Sequence, residues 1–267
     1  MRSSALRTGL GASLALVMGV SLGARAPQVP ATAQPPAQPA APVKLPPAAE
    51  ILARHIEAIG GRDALLTVSS RHVSGTISMP SAGLSGSFEM FEAKPNKAVM
   101  RITIAGVGEM HEGFDGKLGW SINPMSGPSI LEGKLLEEKK LDADFFGDLE
   151  PEKRYTSMTT SDRVDFEGRP CYKVTLVRRD GGEDVQFFDA STGLRAGTMV
   201  TRESQMGPVN ATVAEGDYKR FGRLLFPTKI VNTAMGLQQV MVVQSVVFDK
   251  VEPSVFEPPE QIKALIK

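Results

Sequence analysis

Apolar residues recur at helical spacing where the folded part of the chain begins. Five residues share one side of a helical wheel: Ile51, Leu52, His55, Ile56 and Ile59. Pro46 and Pro47 suit a first helical turn, and Gly60–Gly61 ends the helix because glycine accepts the left-handed cap conformation. The segment RDALLTV, residues 62–68, predicts a short second helix. His55 lies within the apolar stripe, so we expect a packed or hydrogen-bonded histidine there.

After Val68 the pattern changes to an alternation of apolar and polar residues, which is typical of strands. Five strand-length runs follow one another: RHVSGTISM, LSGSFEMFEAK, KAVMRITIA, VGEMHEGFD and LGWSIN. Asp115–Gly116 between the last two is a strong hairpin signal. Strands joined by turns this short must pair antiparallel, because a parallel pairing needs a crossover of a dozen or more residues.

A single helical pattern interrupts the strands. GKLLEEKKLDADFF, residues 133–146, contains good helix formers and has apolar residues on one side, with Leu135, Leu136 and Phe146 among them. Alternating runs then resume from Asp162 to Asp249, and residues 189–193 (DASTG) form another tight turn. The whole pattern predicts about eleven antiparallel strands, with the inserted helix acting as a lid.

The first residues are typical of an export signal. Arg2 and Arg7 precede the apolar run Leu10–Leu22, and Ala24–Arg25–Ala26 supplies the small residues of a cleavage site. This run has 13 residues, fewer than the ~20 that a membrane-spanning helix needs. We therefore predict a cleaved signal peptide over residues 1–26 and a soluble periplasmic protein, with no cysteine placed for lipid attachment and no membrane span in the mature chain.

Two further segments complete the predicted domain organisation. Residues 27–47 are almost wholly Pro, Ala, Gln and Val, which cannot bury a core and favour an extended linker. Residues 48–267 contain no second linker, so we predict one domain there.

Composition excludes several classes of function. Thirty Lys and Arg residues balance thirty Asp and Glu residues, which argues against nucleic-acid binding through a basic face. One cysteine, Cys171, and three scattered histidines cannot supply a Cys-rich zinc site. The chain is predicted to need neither a metal nor another cofactor, and Cys171, within a strand-like run, is predicted to be buried.

Three apparent chemical motifs fail on inspection. His111–Glu112 resembles the start of a zinc-protease HExxH, but Asp115 stands where the second histidine is needed and the segment alternates as a strand. The glycines at 106, 108 and 113 lack the spacing of a dinucleotide loop. Four acidic residues cluster without calcium-loop spacing, and an exposed, charged helix end explains them: Asp142, Asp144, Asp148 and Glu150.

Several segments, taken in order, resemble the exported outer-membrane lipoprotein-sorting proteins, relatives of the lipoprotein carrier LolA and the receptor LolB. The matching segments are AIGGRDAL, GEMHEGFDGKLGW, LLEEKKLDADFFGDL, VQFFDASTGLRAG and YKRFGRLLFPTKI. The resemblance implies a mainly β fold: an antiparallel sheet of about eleven strands curled into an incomplete barrel, with helices closing the open side over an apolar cavity. It also implies binding of lipids or lipoprotein acyl chains.

An acyl chain needs a continuous apolar wall of adaptable side chains, and methionine is the most adaptable of the apolar residues. Residues at alternating strand positions are therefore our candidate ligand-binding residues: Phe88, Met90, Met100, Ile102, Ile104, Met110, Phe114, Trp120, Met199 and Met241. The alternative is that they fill a core beneath the helices.

Three functional hypotheses follow from these features. The first is a monomeric, non-enzymatic carrier or chaperone that shields lipid or lipoprotein acyl chains and exchanges them with donor and acceptor proteins of the envelope. The second is an interaction scaffold with a filled core. The third, an enzyme acting on an apolar substrate, would need polar groups inside the cavity, and its candidates are Tyr172, Tyr218 and His72.

Overall fold

The computed structural model describes residues 44–204 and 207–266. The predicted signal peptide and residues 27–43 of the predicted linker lie outside the described residues. Within the described part, no helix is both long enough and apolar enough to cross a membrane.

Two helices precede the strands, as predicted. Helix α1 spans Ala48–Ile59 and helix α2 spans Arg62–Thr67. Gly60 ends α1 with φ 137°, and a Cβ there would lie 2.7 Å from Cδ2 of Leu224. Glycine at this position therefore permits both the turn and the close approach of a distant segment.

Fifteen strands follow in the described residues: β1 Ser70–Met79, β2 Leu84–Ala93, β3 Lys97–Ile104, β4 Gly108–Phe114, β5 Gly119–Asn123, β6 Gly127–Ile130, β7 Tyr155–Phe166, β8 Arg169–Arg178, β9 Glu183–Asp189, β10 Arg195–Ser204, β11 Gly207–Gly216, β12 Lys219–Phe221, β13 Leu224–Phe226, β14 Lys229–Ala234 and β15 Leu237–Phe248. Thirteen of them form one large antiparallel sheet in the order β6-β5-β4-β3-β2-β1-β15-β14-β11-β10-β9-β8-β7. The sheet does not close, because β6 and β7 remain as separate edges. An incomplete barrel with helices was predicted, and the open antiparallel sheet confirms it.

The strand count differs from the prediction for two reasons. The short strand β6 contains Gly127 and Pro128, which favour a turn in the sequence pattern. In addition, β11 pairs directly with β14, with Gly216 opposite Lys229, so the chain between them leaves the sheet. This excluded segment folds into the separate two-stranded hairpin β12–β13.

The predicted helix over residues 133–146 ends earlier than expected. Helix α3 spans Gly133–Asp142, and a short helix α4 spans Pro151–Arg154. Between them the Asp144 carboxylate accepts a hydrogen bond from the backbone N–H of Phe146 at 3.2 Å. Aspartate favours such turns over helix continuation, which moves Phe145 and Phe146 out of the predicted helical face.

Both faces of the sheet are buried in part. We call the face toward α1 the inner face and the opposite one the outer face. Helix α1 packs through Ala48 and Ile51 on the inner face of β8 and β9, against Val174, Leu176 and Phe188. A second inner cluster joins β1, β2 and β15 and comprises Val73, Ile77, Phe88, Val243 and Val246.

The outer face is covered by the end of the chain, which sequence patterns did not predict to be structured. A 3-10 helix spans Pro253–Phe256, and helix α5 spans Glu260–Lys263. Phe256 and Ile262 of these elements pack against Trp120. Cys171 is fully buried in another outer cluster with Phe166 and Phe187, as predicted.

Candidate functional site

A cavity of about 540 Å³ lies between the inner face of the sheet and a roof of four segments. The roof consists of α1, α2, residues 141–151 and the hairpin β12–β13, which supply Leu52, Leu65, Phe145 and Leu224 among others. This volume falls within the range of about 300–1,000 Å³ that is usual for small-molecule sites. The roof predicted from the helical patterns therefore exists, but the β12–β13 hairpin is an additional part of it.

Much of the cavity wall is apolar. These lining residues come from the roof, from residues that adjoin it, and from the inner face of five strands: Leu52, Ile59, Leu65, Val68, Leu141, Phe145, Phe146, Leu149, Leu176, Val200, Ala211, Val213, Leu224, Leu225, Phe226, Pro227, Ile230 and Phe248. Such a surface suits a hydrocarbon chain, since each buried methylene contributes about 0.8 kcal/mol.

One group of charged side chains in the cavity is centred on Arg195 of β10. The Arg195 Nε donates to Glu215 at 3.0 Å, and its Nη1 lies 3.4 Å from Oδ1 of Asp148 in the roof. The Tyr218 hydroxyl is 2.8 Å from the Glu215 carboxylate and donates to it. The Arg195 guanidinium lowers the pKa of Asp148, while burial and the Glu215 carboxylate raise the pKa of Tyr218. Asp148 is therefore a carboxylate, and Tyr218 is a neutral donor.

A neighbouring ion pair also lines the cavity. Arg71 of β1 and Glu92 of β2 stand opposite each other in the strand register and form a two-bonded ion pair. The Arg71 guanidinium also lies 5.4 Å from the ring centre of Phe145 in the roof. A guanidinium over an aromatic face is favourable, so this contact helps hold the roof on the sheet.

A second charged group is centred on Asp184 of β9, which is 1% exposed. Its carboxylate accepts hydrogen bonds from the Tyr155 hydroxyl at 2.9 Å and from Nη1 of Arg178 at 3.2 Å. Arg154 of α4 and Arg202 of β10 lie further away, at 3.9 and 3.7 Å. Burial raises the pKa of Tyr155, which keeps its hydroxyl proton available to Asp184.

His55 of α1 also faces the cavity and is 5% exposed. Its Nδ1 lies 3.3 Å from the carbonyl oxygen of Gly193 and donates to it in the neutral tautomer that carries the proton there. Burial, assisted by the Arg195 charge, lowers the pKa of His55 to about 4. The histidine is thus packed, hydrogen-bonded and neutral, in agreement with the sequence prediction.

Acid is expected to destabilise the domain through His55. The unfolded chain takes up this proton near pH 6.5 and the folded chain only near pH 4, so the stability contribution is complete above pH 6.5 and is lost on acidification. We expect wild type to lose about 3 kcal/mol more than His55→Gln between these pH values. Urea titrations at several pH values measure this difference, because glutamine keeps an N–H donor but does not titrate. Parallel stability curves for the two proteins would contradict it.

The structure separates the predicted ligand-binding residues into two groups. Strand register places eight of them on the inner face, the same face as the cavity-lining residue Glu92. These eight residues are Phe88, Met90, Met100, Ile102, Ile104, Met110, Phe114 and Met241. None of the eight lines the cavity described above, and Phe88, Ile104 and Phe114 are buried. Their contact with a ligand stays a prediction.

The other two predicted residues lie on the outer face. Met199 is 44% exposed there, since its neighbours Thr198 and Val200 face the cavity and side chains alternate along a strand. Trp120 is fully buried beneath Phe256 and Ile262. Its side chain therefore packs between the sheet and the C-terminal segment.

The acidic cluster and the three candidates for catalysis agree only in part with the predictions. Asp142 ends α3 and is exposed, as predicted for a charged helix end, but it also lines the cavity near Arg154. Asp148 is exposed too, and it lies in the segment between α3 and α4, where it faces Arg195. Tyr218 lines the cavity, Tyr172 packs in the cluster beneath α1, and the ring of His72 stacks on Phe91. Among the described residues, no group of three or more His, Cys, Asp or Glu side chains could hold a metal ion.

The open antiparallel sheet, roofed by helices over a cavity of mixed polarity, defines an open half-barrel. Comparison of the sequence with protein-family models and with curated proteins finds no match. Solved structures do match. A LolA superfamily protein from Nitrosomonas europaea is 15% identical, with a TM-score of 0.54 over 80% of this chain and 99% of that one. A DUF1329 family protein from Desulfovibrio piger is 14% identical, with a TM-score of 0.54 over 79% and 97%. The LolA-like fold expected from the sequence motifs is therefore confirmed, and at this identity the similarity concerns the fold.

Proposed function

We propose that this protein is a carrier of the bacterial envelope that holds an amphipathic lipid, or the acyl chains of a lipoprotein, in the cavity beneath its roof. The observation that carries the proposal is the cavity of about 540 Å³, whose wall combines apolar side chains with charged groups from both the strands and the roof. The predicted signal peptide supports action in the periplasm, where the ligand would pass between donor and acceptor proteins.

Binding accounts for the site better than catalysis. Among the described residues that line the cavity, none is Ser, Cys or Lys, the side chains that most often act as nucleophiles with an adjacent base. His55 is neutral and bonded to a backbone carbonyl, and Tyr218 is bonded to Glu215. These polar groups already form hydrogen bonds within the protein, which suits a wall that orients a ligand.

The two ends of the roof are held unequally, which supports a route of entry. Arg54 of α1 donates to the carbonyl oxygens of Ala190 and Ser191 at 3.0 and 2.6 Å, and Ala48 and Ile51 are buried against the sheet. Residues 141–151 are held by the Arg71–Phe145 contact, by a hydrogen bond from the Phe145 N–H to the Pro95 carbonyl at 3.1 Å, and by long ion pairs of half-exposed carboxylates, such as Asp142 at 3.8 Å from Arg202. Since exposed ion pairs contribute only about 0–1 kcal/mol, we propose that this segment is the part of the roof that opens.

Filling the cavity is expected to abolish ligand uptake. Val200 lines the cavity and Met199 beside it faces outward, so Val200→Trp and Met199→Trp add the same ring to opposite faces of one strand. We expect Val200→Trp to weaken binding of a fluorescent fatty-acid probe about tenfold or more, equivalent to about 1.4 kcal/mol. Met199→Trp should leave binding within about twofold. Circular dichroism of both variants checks that they fold.

Native mass spectrometry of the protein purified from the periplasm tests the proposal directly, because co-purifying lipid appears as added mass. A wild-type protein that emerges empty and takes up no probe would contradict the carrier function. That result would favour the alternative of a non-catalytic envelope scaffold.

A further inference from the structure

Two arginines at the cavity wall lack close hydrogen-bond partners among the described side chains. Arg154 and Arg202 both line the cavity, and their side chains are 18% and 31% exposed. Among the described residues neither guanidinium has a side-chain partner closer than 3.7 Å. Hydrogen bonds of a guanidinium to oxygen fall near 2.7–3.2 Å, so each has donors without acceptors. The Nε of Arg154 is a buried donor of this kind.

The neighbouring carboxylates do not satisfy these donors because their oxygens are engaged elsewhere or lie too far away. Oδ2 of Asp184 accepts from Tyr155 and its Oδ1 accepts from Arg178, and Arg178 also pairs with Asp180 on the adjoining turn. Oδ1 of Asp142 lies 3.8 Å from Nη2 of Arg154 and 3.8 Å from Nη2 of Arg202. One carboxylate oxygen thus lies within 4 Å of both guanidiniums but beyond hydrogen-bond distance of either.

The inner face of β10 passes from apolar to charged at this point. Val200 lines the apolar part of the cavity, and Arg202 follows two residues later on the same face. Ala211, directly opposite Val200 in the register of β10 and β11, continues the apolar wall on the neighbouring strand. A ligand whose chain lies along Val200 and Ala211 therefore brings its head to Arg154 and Arg202.

We propose that Arg154 and Arg202 form a subsite for the anionic head of the bound amphiphile, a carboxylate or a phosphate, near the position of Asp142 Oδ1. This inference rests on the proposed function and specifies its ligand class. An oxyanion between the two guanidiniums would accept hydrogen bonds from the N–H groups that Asp184 and Asp142 leave unpaired. Such charge-assisted hydrogen bonds are stronger than hydrogen bonds between neutral groups. Asp142 is half exposed and can turn outward, whereas Asp184 keeps its bonds to Tyr155 and Arg178.

Calorimetric titration of the purified protein with four probes tests the subsite: dodecanoate, dodecyl phosphate, dodecanol and inorganic phosphate. The first two share the chain of dodecanol but carry an anionic head, and we expect them to bind about tenfold more tightly than the alcohol. Inorganic phosphate should bind far more weakly than dodecyl phosphate because it buries no chain. Equal affinities for dodecanoate and dodecanol would overturn the proposal, as would inorganic phosphate binding as tightly as dodecyl phosphate.

Three variants separate charge from packing. Arg202→Gln should weaken both anionic amphiphiles about tenfold and leave dodecanol within about twofold. Arg163→Gln removes the same charge from an exposed position of β7 and should change neither. Asp142→Asn should tighten the anionic amphiphiles alone, because it removes a competing carboxylate. A variant Arg202→Gln that weakens dodecanol equally, or an Asp142→Asn protein with unchanged anion affinity, would contradict the subsite.

Failure of the subsite and failure of the carrier function give different results. If dodecanol and the anionic amphiphiles all bind with equal affinity, the cavity takes chains and the anion subsite alone is wrong. If none of the amphiphiles binds, the carrier function itself is wrong.

Discussion

Replacing Trp120 with alanine is expected to lower the free energy of unfolding by about 3–5 kcal/mol. Trp120 is fully buried on the outer face and packs against Phe91, Val99, Phe256 and Ile262. Gly113 opposite leaves room for the ring, since a Cβ there would lie 2.1 Å from Cζ2 of Trp120. The truncation leaves a large cavity and loosens the C-terminal segment that covers it. Urea denaturation followed by circular dichroism measures the loss, because the variant has no tryptophan left to report fluorescence.

Two further variants, Trp120→Phe and Met125→Ala, serve as controls for this loss of stability. Trp120→Phe should lose less, because the phenyl ring fills part of the space and the Trp120 Nε1 has no partner among the described residues. Met125→Ala, at a residue that is 91% exposed, should stay within about 0.5 kcal/mol of wild type. A Trp120→Ala protein that keeps near wild-type stability but no longer binds the fatty-acid probe would instead support the ligand contact predicted from the sequence.

The main elements could be predicted because their signals are local. The apolar stripe of α1 and the two glycines after it lie within fifteen residues of sequence, and α1 ends at Ile59 as expected. The Asp115–Gly116 turn joins β4 to β5, and the backbone N–H groups of Lys117 and Leu118 donate to Asp115 Oδ1 there. Each signal depends on neighbours along the chain, so no knowledge of the sheet is needed.

The hairpin β12–β13 could not be predicted because it depends on a pairing between distant strands. Residues 208–221 and 224–234 alternate as two long strands, but the pairing of β11 with β14 excludes residues 217–228 from the sheet. Asp217 takes φ 51° at this exit, in the left-handed region that aspartate tolerates better than most residues. The alternation is real in both halves, and only the register shows where the chain leaves the sheet.

The cavity residues were missed because alternation identifies a face without saying what covers it. Trp120, Val99 and Phe91 share the outer face, yet they are as buried as Phe88 on the inner face. Apolar alternation therefore identifies both cores and gives no signal for Arg195, Arg202 and Asp184. The one available signal was the presence of charges at inner positions of otherwise apolar strands, as with Asp184 in EDVQFFD.

Replacing Asp184 with alanine is expected to lower the free energy of unfolding by about 3–5 kcal/mol, because removing one member of a buried ion pair leaves its partners without compensation. Tyr155 and Arg178 lose their acceptor, and Arg154 and Arg202 lose the carboxylate that lies within 4 Å of them. Urea denaturation at neutral pH measures the change. Glu183→Ala, at the exposed neighbouring residue, serves as the control and should stay within about 0.5 kcal/mol of wild type.

The isosteric variant Asp184→Asn distinguishes the charge of this carboxylate from its hydrogen bonds. Asparagine keeps one acceptor oxygen for Tyr155 or Arg178 but leaves the surrounding guanidiniums without a buried counter-charge. We expect its loss of stability to lie between those of Glu183→Ala and Asp184→Ala, and its affinity for dodecanoate to rise because the arginines then lack their competing anion. An Asp184→Ala protein as stable as wild type would show that water in the cavity solvates these arginines well enough to replace the carboxylate. The charged group around Asp184 would then have no structural role.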